Sequence, residues 1–129
     1  AVLGGPARRD EFDGAPAAQV SAGAGQRLVF RESSGEIPPF DGHHIQVYIA
    51  DFSGPHGRLA ERGAITAEDD QHQYRFVTIF DPANGEAVYE LEHEVRSLHH
   101  PLYARPLVNR NPAQMIMNYQ PGHDAVPVG

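Results

Sequence analysis

Hydrophobic and polar side chains alternate along several short stretches of the chain, and that alternation predicts strands. Over His43–Phe52 (HHIQVYIADF), Ile45, Val47 and Ile49 fall in one phase, with His44, Gln46 and Tyr48 in the other. Ala87–Val95 (AVYELEHEV) repeats the pattern: Ala87, Tyr89, Leu91, His93 and Val95 share one face, and Val88, Glu90, Glu92 and Glu94 share the other. Gln73–Phe80 (QYRFVTIF) is rich in aromatic and β-branched residues and stops at Asp81-Pro82, so it reads as another strand. The intervening Asn84-Gly85 predicts a hairpin between these two runs. Gln26–Arg31 (QRLVFR) is a further strand, pairing with Ala17–Ala22. Ser53 as N-cap, Pro55 in the first turn and Gly63 just past the end bracket a helix of two or three turns. From His43 the order is strand, helix, short segment, hairpin. Turn-rich stretches at Ser33–Gly42, Ser53–Gly57 and Asp81–Gly85 punctuate this series, and from Arg96 onward the chain becomes irregular, with five prolines. That last stretch reads as an ordered arm wrapping a partner.

Composition narrows the classes. A chain of 129 residues that is 40% hydrophobic suits one modest core. The absence of cysteine excludes a disulfide scaffold, a thiolate nucleophile and a cysteine-ligated zinc site. No apolar run approaches the length of a membrane span, and the start, AVLGGPARRDEF, lacks the order of a signal peptide, so a soluble, cytoplasmic protein without membrane contact is expected. The net charge of −7 is unevenly placed: residues 1–31 sum to +1, residues 32–95 to −10 and residues 96–129 to +2. An acidic centre does not suit a nucleic-acid partner. No nucleophile elbow and no glycine-rich loop ahead of a helix is present, so serine-hydrolase chemistry and a nucleotide cofactor are not expected. Eight histidines remain to be explained.

His44-Ile45-Gln46-Val47-Tyr48-Ile49-Ala50-Asp51, a short helix, a glycine, a strand into Asp81-Pro82, and Glu90-Leu91 late in the last strand together resemble the second half of a vicinal oxygen chelate domain. This is the superfamily of glyoxalase I, the bleomycin-resistance proteins and the extradiol dioxygenases. The resemblance implies an α+β fold in which paired βαβββ modules form a cupped, mainly antiparallel sheet. Residues 1–42 would be the remainder of an incomplete first module and a linker, residues 43–95 the second module, and residues 96–129 an irregular C-terminal arm. In that frame Val2-Leu3-Gly4 looks like the end of the first module's helix, and that module's first strand would lie ahead of Ala1. Gln26 and Arg27 stand in the region where glyoxalase I has its first-module glutamate, which departs from the four-ligand pattern.

The resemblance implies a metal on the concave sheet face, with His44 and Glu90 as its ligands in this chain. Imidazole nitrogen and carboxylate oxygen suit Fe, Mn, Zn or Ni in the divalent state. Gln46 and Tyr48, in phase with His44, are candidate substrate-binding residues together with Phe76, although aromatic residues in strands are more often core. Glu92 and Glu94 read as a strand face paired with Arg75 and Arg96. His93, on an apolar face, reads as a hydrogen-bonded core residue, and His99-His100 as surface or interface. Two functions are therefore expected to compete. One is a metal-dependent lyase, isomerase or dioxygenase acting on a small oxygen-bearing substrate. The other is a metal-free, drug-sequestering type of small-molecule binder, or an interaction protein, of the same fold. Either would be a homo-oligomer, because a sheet lacking a strand exposes unpaired backbone.

Overall fold

A computed structural model of the chain describes residues 3–23, 25–103, 110–115, 119–120 and 122–123. Seven strands and one short helix follow in the order β1 (Ala7–Phe12), β2 (Ala15–Gly23), β3 (Gln26–Arg31), β4 (His44–Ile49), α1 (Ser53–Ala60), β5 (Ile65–Asp69), β6 (Gln73–Phe80) and β7 (Ala87–Ser97) among the described residues. They form two sheets: an antiparallel meander β1-β2-β3, and a mixed sheet of order β4-β7-β6-β5. The architecture is a small, strand-rich α+β fold.

Two strands enter that the alternation did not reveal. Asp13 (φ 51°) and Gly14 (φ 71°) join the paired residues Phe12 and Ala15 across a two-residue turn, which makes β1 and β2 a hairpin. Both turn positions need a left-handed backbone, and Asp-Gly supplies it at low cost. β5 is the short segment expected between helix and hairpin, and a three-residue loop ending at His72 (φ 63°) turns it into β6. Leu3 and Gly4 are not helical, contrary to their reading as a helix end; Leu3 packs on the core of the mixed sheet. Val2 lies outside the described residues, as do Arg105–Asn109 of the expected arm.

The core of the mixed sheet lies on one face. Leu59, Tyr74, Phe76 and Val95 form it, with Val47, Ile49, Phe52 and Ile65 packed around them. Helix α1 seals this face through Pro55 and Leu59. Its N-terminus is capped by Asp51, whose carboxylate accepts the Gly54 N–H at 3.1 Å; Ser53, the expected cap, is already helical. A Cβ on Gly54 would approach Asp51 Oδ2 to 2.5 Å, so a side chain there would displace the capping carboxylate. At the other end Gly63 (φ 62°) reverses the chain, as expected of it.

Candidate functional site

The parallel pairing of β4 with β7 builds the polar face opposite this core. Its register sets His44 beside Glu92, Gln46 beside Glu94 and Tyr48 beside Arg96. On the other side of β7, β6 sets Arg75 against Glu94 and Gln73 against Arg96. Laterally paired residues point to the same side of a sheet. Three rows of polar groups therefore cross it, while Ile45, His93 and Phe76 form a row on the core side.

Charge on this face is closely matched. Glu94 is only 3% exposed and lies between two guanidiniums: Arg75 donates to its Oε2, and Arg96 Nη2 reaches Oε1 at 2.5 Å. Arg75 also donates to Glu92 Oε2 at 3.1 Å. Arg96 continues the network, donating from Nε to Gln73 Oε1 at 2.7 Å and from Nη1 to the Tyr48 hydroxyl at 3.1 Å. Beyond Tyr48 the strip ends in aromatic rings, with Tyr103 at 5.3 Å and His100 at 6.2 Å between centroids. Glu92 and Glu94 thus have the arginine partners expected of them, and Glu94 is buried.

The two expected metal ligands are not brought together. His44 is half-exposed, and the carboxylate near it is Glu92, whose Oε2 stands 3.9 Å from His44 Nδ1. Glu90 is exposed and pairs with Thr78. Between Phe76–His93 and Thr78–Glu90, β7 advances three residues while β6 advances two. This bulge carries Glu90 out of phase with Glu92 and Glu94, onto the side of Thr78. Among the described residues no group of three or more His, Asp or Glu side chains is arranged to hold a metal ion. The residues present fit a resident metal poorly, since the Glu92 oxygen nearest His44 already carries the Arg75 guanidinium.

Of the expected substrate-binding residues, Gln46 and Tyr48 lie on the polar face. Phe76 does not: it is 4% exposed in the core and stacks on His93 with ring centroids 4.4 Å apart. His93 is the core histidine its phase predicts, its Nδ1 bonded to the Leu91 carbonyl at 2.7 Å. His100, expected at the surface or an interface, is buried within the chain, and its Nδ1 accepts the Leu102 N–H at 3.1 Å. No signal in the sequence marked that turn.

No protein-family model, curated protein or solved structure matches the chain. No helix among the described residues is long and apolar enough to cross a membrane.

Proposed function

We propose that the chain is a small-molecule-binding domain of the vicinal oxygen chelate type that works without a resident metal, as the drug-sequestering members of that superfamily do. Its ligand is a planar, oxygen-bearing molecule that stacks on Tyr48 and Tyr103 and accepts a hydrogen bond from Gln46. A second copy of the chain completes the cup. The observation that carries this reading is the Arg75 guanidinium held on both Glu92 and Glu94. A divalent cation entering beside His44 would meet that positive charge and would have to displace it. Kinship with the superfamily is supported by element order. β4, α1, β5, β6 and β7 follow the βαβββ sequence with first and last strands adjacent and parallel, and β1–β3 match a module's last three strands.

The approach of His44 to Glu92 favours a second reading, a metal-dependent enzyme of the same fold in which these two residues supply part of the ligand set. Elemental analysis of protein purified without chelators separates the two. Binding-only function predicts less than about a tenth of an equivalent of any transition metal, because tight sites hold metal through purification. Catechol, titrated as the simplest planar ligand with neighbouring oxygens, is expected to shift the amide signals of His44–Tyr48 saturably. Tyr48→Ala should weaken it by about tenfold, or about 1.4 kcal/mol, while His44→Ala leaves it nearly intact. Near-stoichiometric metal that His44→Ala removes would establish the enzyme reading instead.

A further inference from the structure

The three-stranded sheet carries a cleft unrelated to the polar face just described. It is open, encloses about 560 Å³, and is lined by Arg8 on β1, Gln19, Ser21 and Gly23 on β2, Gly25 just beyond it, and Arg27 on β3. The register sets Arg8 opposite Gln19 and Arg27 opposite Ser21. Gln19 and Ser21 are two residues apart on one strand, so all four side chains leave the same side of the sheet. β1 and β3 flank β2 and stand about 10 Å apart, a gap that two arginine side chains can close from either side.

The two arginines differ in how they are held. Arg8 Nη2 donates to Gln19 Oε1 at 3.3 Å and meets Asp10 Oδ2 at 2.9 Å, while Gln19 Nε2 donates to the same Asp10 oxygen at 2.9 Å. Gln19 is buried, 6% exposed, so this triangle is a fixed strut that orients Arg8 and leaves its Nη1 and Nε hydrogens available. Arg27 has no acidic side chain within ion-pair distance among the described residues. No acidic residue lines the cleft either, in a chain whose net charge is −7. Gly23 and Gly25, both at positive φ, bring backbone without side chains to its rim, which keeps the mouth open.

We propose that this cleft binds the oxyanion group of a small molecule, a phosphate monoester or a carboxylate, between Arg27 and Arg8. The guanidinium fork matches either group, and charge-assisted hydrogen bonds of this kind are the strong ones. The Ser21 hydroxyl donates a further bond, and the Arg8–Gln19–Asp10 strut fixes the geometry in advance of binding.

Amide NMR titrations with inorganic phosphate and with acetate, at constant ionic strength held by chloride, test the site. Saturable shifts confined to residues around 6–8, 19–23 and 25–28, with a dissociation constant of about 1–10 mM, are expected for such minimal probes. Tighter binding of phosphate assigns the phosphate ester, and tighter binding of acetate the carboxylate. Arg27→Gln, at an exposed strand position, should weaken binding at least about tenfold with the rest of the spectrum unchanged. Asp10→Asn keeps an oxygen acceptor for the strut but removes the negative charge that competes for Arg8, so it should strengthen binding. Failure of both anions to saturate, or equal binding by Arg27→Gln, would overturn the proposal.

Discussion

At the scale of single residues, the histidines of this chain divide by environment. His43 pairs with Asp41 and His56 with Glu68 at the surface, at 2.6 and 2.8 Å. His93 and His100 are buried. Burial is the main reason that both titrate below the usual 6.5; Arg96 also depresses His100, Asp69 and Glu94 partly offset this, and the Leu91 carbonyl partly restores His93. The folded chain thus holds these rings neutral while the unfolded chain protonates more readily. Their contribution to stability is complete above about pH 6.5 and is lost as pH falls through the depressed folded values. The urea midpoint is therefore expected to be lower at about pH 5.5 than at about pH 7.5. In a His93→Gln/His100→Gln double variant that difference should shrink; an undiminished one would exclude these two rings as its source. Tyr74 follows the same logic with opposite sign. Fully buried, with its hydroxyl unpaired among the described residues, its phenol is pushed up to about 12, chiefly by burial.

At the scale of elements, short-range chemistry decides where strands begin and how they are joined. Asp13-Gly14 closes β1 onto β2 with both residues at positive φ. Gly14→Ala meets no neighbour within 4 Å, so its cost is conformational alone. A loss of about 1 kcal/mol is expected, read from the denaturant midpoint at unchanged slope. An unchanged midpoint would mean that the turn does not keep its left-handed geometry in solution. The bulge in β7 is the opposite kind of element-level feature. It has no composition cue, yet it turns Glu90 away from the face on which the parallel β4–β7 register sets His44 beside Glu92.

At the scale of the molecule, the apolar side chains outnumber what the described core covers. Among the described residues, the buried hydrophobic set is Ala17, Leu59, Tyr74, Phe76, Val95 and Leu102, whereas Phe12, Ile37, Val88 and Met115 stand 43–65% exposed. β4 and β5 are the edges of the mixed sheet, and β1 and β3 those of the meander. Such edges invite pairing with another copy. Light scattering behind size exclusion is expected to give twice the chain's 14.1 kDa at micromolar concentration. A monomer at all concentrations would remove the second copy from the proposed cup without touching the oxyanion cleft, which lies within one chain.

Local pattern alone determined much of this protein. The alternation at His43–Phe52, the aromatic and β-branched run Gln73–Phe80, the segment Gln26–Arg31 and the Pro55–Gly63 bracket each became the element expected, because pleat, helix period and left-handed glycine are properties of neighbouring residues. The Asp13-Gly14 hairpin was not among the expected elements, although it rests on the dipeptide chemistry that marked Asn84-Gly85. The site was not determined by local pattern. His44 meets Glu92 instead of Glu90, Arg75 occupies the carboxylates, and Phe76 leaves the pocket for the core. Each of these depends on register between strands separated by up to 48 positions in the chain. Register is a cooperative outcome of packing both faces at once: the parallel pairing sets Glu92 beside His44, and the adjoining bulge turns Glu90 to the other side. Tertiary structure decided the chemistry of that face.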